Sequence, residues 1–269
     1  ARVAAMPTKP TLIHVPVGNN PARIRMLIYL KELEHEVDIK VPSDFGGLAS
    51  DQYRALNPQG KIPTLILPDG RALYESRVIS AYLADKFREV GPSLEASTPE
   101  ARAQALLINS VHDLYIASPN SSDSSVTANQ GCGYKGVDLI DAPSRAAKLR
   151  EVAKQVGVLE QLVVGPYAAG TDITEADLAL YPTLAFLLPF CFQHAFGWPS
   201  LLDEARHPKL CAWLAEVGKL PAAQRIRAEV EPALQGWAAS GRFEPIQAQV
   251  AASDPAICIW EREAVLATL

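Results

Sequence analysis

Short β-rich runs fill the first 75 residues, and helical spacing takes over after them. TLIHVPV (11–17) alternates apolar and polar positions as a half-buried strand does. PARIRMLIYLKELE (21–34) puts Pro at a helix start and gathers Ile24, Leu27, Ile28 and Lys31 on one side. EVDIKV (36–41) reads as a second strand, and 44–60 as loop with a helical turn. KIPTLIL (61–67) and RALYE (71–75) flank Pro68-Asp69-Gly70, the signature of a turn joining a third and a fourth strand. ESRVISAYLADKF (75–87) returns to helical spacing, with apolar residues at 78, 79, 82, 83 and 87. The order β-α-β-β-β-α predicts a small α/β domain with a mixed sheet.

VGPSLEAST (90–98) is linker by its Gly, Pro and Ser. Beyond it the strand signals stop. Helices are expected at 99–118, 144–163 and 207–226, the last ended or interrupted near Pro221. Thr174-Glu-Ala-Asp177 fits a capping box, with Ile173 and Leu178 placed for a hydrophobic staple. The polar stretch 119–136 reads as a mobile surface loop, or as a lid over a cleft. Residues 231–269, with Trp237 and Trp260, have weak periodicity and are expected to pack on the body.

Composition narrows the function classes. The chain has 269 residues, 48% hydrophobic, which suits one large or two smaller domains. A net charge of −5 disfavours sequence-independent nucleic-acid binding, yet leaves room for a local basic pocket. Cys132, Cys191, Cys211 and Cys258 are scattered, and no His lies near one at zinc-finger spacing. Reduced thiols without a metal or disulfide framework are expected. No run of about 18 apolar residues suggests a membrane span. The opening ARVAAMPTKP reads as a frayed terminus; as a second reading it is the stub of a trimmed organellar transit peptide. The expected location is cytoplasmic, or organellar on that second reading.

The segment ALNPQGKIPTLILPDGRALYESRVISAYLADKF (55–87) resembles the glutathione-binding half of the soluble glutathione transferases. The resemblance extends over nearly the whole chain. It implies an α/β thioredoxin-like N-terminal domain (11–89) and an all-α C-terminal domain (98–269), homodimer assembly, and glutathione as cosubstrate. An Ile62-Pro63 bond can be cis, since proline removes most of the trans preference; the Ile62 main chain would then pair a ligand's backbone as one more strand. Ser76 opens a helix whose free amides favour a carboxylate. By resemblance Ser76 takes the γ-glutamyl carboxylate, Glu75 faces its ammonium and Lys61 reaches the glycyl carboxylate; a helix cap and a solvated Lys are the plainer readings of Ser76 and Lys61.

A thiol attacks as thiolate, so something must favour the charged form. Most family members place Tyr, Ser or Cys in the turn before the first helix. Here the turn is VPVGNNPARIR (15–25), and with Arg23 setting the register the Ser of several classes falls on Gly18. The turn is similar to the Asn-bearing turns of nu-class transferases, fungal prion-related relatives and some bacterial β-etherases. An Asn amide is a donor, and a donor to the thiolate lowers the thiol pKa. Asn20 is the first candidate and Asn19 the second; as the plain alternative both only shape the turn. Arg23 and Arg25 are expected to be solvated. Val17, Val111, His112, Tyr115 and Ile116 are candidates for the wall of a hydrophobic acceptor pocket, with interdomain packing as the alternative. No metal site is expected. The leading reading is a glutathione-activating transferase acting on a hydrophobic electrophile, by conjugation, aryl-ether cleavage or peroxide or disulfide reduction. The competing one is a non-catalytic binding protein on the same fold.

Overall fold

A computed structural model describes residues 8–117 and 127–269. The N-terminal residues 1–7, where the transit-stub reading falls, lie outside the described residues. The first domain is built on four three-residue strands: β1 (Thr11–Ile13), β2 (Asp38–Lys40), β3 (Thr64–Ile66) and β4 (Ala72–Tyr74), in the order β2-β1-β3-β4. β1 runs parallel to β2 and antiparallel to β3, so Leu12 lies opposite Ile39 on one side and Leu65 on the other. β3 and β4 form the expected hairpin, closed by Gly70 at φ 84°, a conformation a side chain would resist. Helices α1 (Asn19–Leu30) and α3 (Ser76–Lys86) pack together, and Leu12, Ile24, Leu27, Leu65, Ile79 and Leu83 are fully buried. The presumed loop before β3 holds a short helix, α2 (Asp51–Leu56), capped by the Ser50 hydroxyl, which accepts Tyr53 N–H at 3.1 Å.

The second domain is helical. α4 (Pro99–Val111) starts at Thr98, whose hydroxyl accepts Ala101 N–H, and widens into a π-helical turn over His112–Ala117. α5 (Ala142–Leu162) follows. α6 (Glu175–Pro182) runs through a second wide turn, Thr183–Leu187, into α7 (Leu188–Phe196). Pro189 has no N–H to offer Ala185, so the regular ladder cannot pass that point. By length and apolarity, Glu175–Phe196 would suffice to cross a membrane, but it is mostly buried inside the protein and serves as the core helix. α8 (Pro208–Val217) and α9 (Pro221–Ala239) replace the one helix expected there, divided where Pro221 restarts the chain.

The C-terminal residues pack on this body through α10 (Glu244–Ala252) and α11 (Arg262–Ala267). Trp260 stacks on Phe196 at 5.5 Å and accepts Trp198 indole N–H on its carbonyl at 2.7 Å. Of the stretch 119–136, residues up to 126 lie outside the described residues. Thr127, Ala128, Gln130 and Cys132 are buried, so this part is interior rather than surface loop.

α1 departs most from its sequence. A one-sided helix would leave Arg23 and Arg25 in water; they are 0% and 1% exposed. The reason is that α1 is a shared wall: α3 covers one side, while α6 and α9 cover the other. Both arginines are therefore buried and paired rather than solvated.

Candidate active site

The turn into α1 is sterically closed. Gly18 is the N-cap, and a Cβ there would come within 2.9 Å of the Pro21 ring. A serine at this position would collide with the helix it introduces. The helix opens with Asn19 and Asn20, followed by Pro21, which has no N–H. Ala22 N–H bonds back to Gly18 C=O at 3.0 Å, so the first helical amides, those of Asn19 and Asn20, have no intrahelical acceptor. They stand at the positive end of the helix dipole.

Asn19 is buried and its amide is engaged. Its Nδ2 donates to Gln130 Oε1 at 2.9 Å and to Thr183 Oγ1 at 2.8 Å. The orientation is fixed from outside: Gln130 Nε2 donates to the Ala117 carbonyl at 3.1 Å, which forces Gln130 Oε1 toward Asn19. Both amide hydrogens of Asn19 thus point into the domain interface, and its side chain has no donor left for a thiolate. Asn20, half-buried, is the amide that remains.

Thr183 passes the polarity on. Besides accepting from Asn19, its hydroxyl is hydrogen-bonded to His112 Nε2 at 2.7 Å. The other ring nitrogen, His112 Nδ1, donates to Asp113 Oδ1 at 2.8 Å. His112 is 1% exposed and Ile116 is fully buried, so these two belong to the interior and not to a pocket wall. Val111 is buried as well; Tyr115 lies on the surface and Val17 is half-buried against the core.

Asp113 also faces Arg23. Arg23 Nη1 donates to both Asp113 oxygens, at 3.1 and 3.2 Å, and lies 3.4 Å from Ser76 Oγ; Nη2 donates to Asn109 Oδ1 at 2.9 Å. Burial opposes charge on Asp113, but the bonds and charges of His112 and Arg23 outweigh it and hold its pKa well below the carboxylate range. One guanidinium therefore joins the start of α3 to α1 and to α4.

The remaining expected ligand contacts lie in the first domain. Ile62-Pro63 is cis, and Ile62 sits just outside the β3 ladder. Two side chains absent from the expected set hold the approach: Tyr53 Oη and Asn57 Nδ2 donate to Lys61 C=O at 2.6 and 2.8 Å, and both bond Thr64 Oγ1. Glu75 is exposed at φ 70°, an uncommon conformation for a residue other than glycine; Ser76, 8% exposed, begins α3 right after it. Asn57 stands in the motif NPQG, so it was within reach of the sequence. Thr183, a lone hydroxyl in an apolar helix, was a weaker signal. Gln130 lay in a stretch that reads as loop.

No cysteine provides a competing nucleophile at the turn. Burial raises the Cys132 thiol to about 12 and raises that of Cys191 as well. Beside the turn, His14 is pushed down to about 4 by burial and then by the Arg25 charge. The unfolded chain therefore takes up a proton near pH 6.5 that the folded chain refuses until about 4. Stability is expected to fall with acid across that window, by up to about 3 kcal/mol from this group. Denaturant midpoints at pH 6.5 and 4.5 check this: His14→Leu should flatten most of the slope, and a slope equal to wild type would refute it.

Comparison with known proteins decides the family. Residues 19–86 match the model of the glutathione S-transferase N-terminal domain, and 133–221 match that of the C-terminal domain. Glutathione S-transferase 3 of Zea mays is 30% identical over 81% of this chain and 93% of its own. The chain belongs to the glutathione S-transferase superfamily. Glutathione is the cosubstrate of this family. Protein LigF of Sphingobium is 27% identical over 78% of this chain and 89% of its own. The crystal structure of beta-etherase LigF has the same fold, at TM-score 0.64 and 22% identity, over 82% of this chain and 99% of that one. A glutathione S-transferase from Methylobacillus flagellatus, solved with glutathione bound, superposes at TM-score 0.62 and 22% identity over 81% of this chain and 98% of its own. In this transferase fold the cis Ile62-Pro63 bond and Ser76 both belong to the N-terminal domain, and Arg23 of α1 lies 3.4 Å from the Ser76 hydroxyl.

Proposed function

We propose that this protein is a glutathione transferase that holds the glutathione thiolate at the N-terminus of α1 and directs it at a hydrophobic electrophile. The observation that carries the reading is Arg23 linking Ser76, the first residue of α3, to the helix that opens with Asn19 and Asn20. Ile62 pairs the cysteinyl main chain, Ser76 and the amides of α3 take the γ-glutamyl carboxylate, Glu75 faces its ammonium, and Lys61 reaches the glycyl end. The sulfur meets the Asn20 amide and the opening N–H groups of α1, which favour the charged form by hydrogen bonding and dipole together. The thiolate forms a bond to the electrophile's carbon and the leaving group departs with the electron pair.

Asn20→Ala is expected to lower kcat/KM at least about tenfold in a conjugation assay, with glutathione affinity little changed. An unchanged rate would move the role to the backbone amides. Thiolate absorbance of bound glutathione against pH separates enzyme from carrier: a thiol pKa equal to that of free glutathione would sink the proposal. Aryl-ether cleavage is the second reading, favoured by the likeness to LigF over most of that protein's length. Turnover of a β-aryl ether with glutathione distinguishes it. For assembly we infer a homodimer, because Leu106, Leu107 and Leu114 are each about half exposed, at 50%, 47% and 51%. Sedimentation of Leu107→Glu is expected to show monomer.

A further inference from the structure

α9 begins at Pro221, where the match to the C-terminal domain model ends, and it crosses back to lie against α1. Its contacts there are specific. Glu229 Oε2 pairs with Arg25 Nη1, and Glu229 Oε1 accepts the Tyr29 hydroxyl at 2.5 Å. Arg225, one turn earlier, stacks on the Tyr29 ring at 3.8 Å and pairs with Glu34. The other arm of Arg25 reaches the turn: Nη2 donates to Pro16 C=O at 2.7 Å. The turn's own main-chain bond, Gly18 N–H to Val15 C=O, is long at 3.3 Å.

We propose that Glu229 is a positioning residue for the turn that opens α1, acting through Arg25. The proposal rests on the reading that this turn holds the thiolate. A guanidinium is a rigid planar fork, so a carboxylate that fixes one arm also aims the other. Arg25 is 1% exposed while Glu229 is 29% exposed, so the carboxylate closes the guanidinium off from solvent and its removal opens that side to water. Released from Glu229, Arg25 turns toward solvent and leaves Pro16 C=O unheld. The turn then loses its shorter polar restraint, and the opening amides of α1 lose their fixed direction. The helix beyond the matched family segment thus sets the geometry of the opposite end of the chain, more than 200 residues away, as the separation of 204 between Arg25 and Glu229 shows.

Hydrogen exchange and the pH profile of kcat/KM on the full chain test this. In Glu229→Ala the amides of Val15, Val17, Gly18, Asn19 and Asn20 should exchange about tenfold faster or more, with β3 and β4 unchanged. The thiol limb of the pH profile should move to higher pH, and kcat should fall more than KM rises. Glu229→Asp should restore part of both effects. Glu231→Gln, on the outer face of α9 where Glu231 pairs with Arg227, should leave both readouts at wild type. Unchanged exchange at 15–20, or faster exchange spread evenly through both domains, overturns the proposal. So does a loosened turn with an unmoved pH profile. If wild-type protein binds glutathione with no thiolate, the thiolate reading itself fails, and the exchange result still reports whether Glu229 holds the turn.

Discussion

Asp177→Ala is expected to destabilise the protein by about 3–5 kcal/mol, the largest single-residue effect in the helical domain. Asp177 is fully buried at the start of α6. Its Oδ2 accepts Thr174 N–H at 2.8 Å and the Thr174 hydroxyl at 3.1 Å; its Oδ1 accepts Ala168 N–H at 2.7 Å and the Trp213 indole N–H at 2.8 Å. Removing the carboxylate strands donors from three separate places in the chain, and each buried unmet donor costs about 1–3 kcal/mol. Alanine also leaves a void beside Trp213, which is 1% exposed. Asp177→Asn should recover only part of the loss, because its one remaining oxygen serves one side while its NH₂ faces donors on the other. Urea denaturation of both variants is the measurement; a loss below about 1 kcal/mol in the alanine variant would refute the account.

Arg23→Ala is expected to cost about 3–5 kcal/mol and to weaken glutathione binding at the same time. The stability term comes from Asp113, left mostly buried with His112 alone, and from Asn109 Oδ1, left without its donor. The binding term comes from Ser76, whose link to α1 through this guanidinium is lost. Arg23→Lys should rescue less than half, since a single ammonium cannot serve Asp113, Asn109 and Ser76 from both arms of a fork. The sign with pH follows: Asp113 gains its bonds as carboxylate, so the stabilisation is present above its unfolded pKa and lost as acid protonates the folded group. Calorimetry of glutathione binding beside denaturant titrations checks both halves. Unchanged affinity in a folded Arg23→Ala protein would detach Ser76 from the network.

What could be read from the chain was local. The Pro68-Asp69-Gly70 turn, the proline at 63 and the Thr174–Asp177 box act within a few residues, so their neighbours in sequence state their structure. The resemblance of 55–87 added which of these face a ligand. Asn19 looked like a donor from its sequence neighbours, and only its partners 111 and 164 residues away show that the donor is used inside the protein. His112 looked like a pocket residue for the same reason, since Thr183 lies 71 residues further on.

By itself, the sequence determined the two-domain plan, the glutathione-type motif and the lack of a hydroxyl at Gly18. Tertiary structure alone decided which polar groups remain available at that turn. Burying α1 on both sides converts its arginines from solvated charges into ties, because a buried guanidinium must find acceptors wherever the fold supplies them. Those acceptors come from α3, α4 and α9, elements whose approach to α1 no local pattern records.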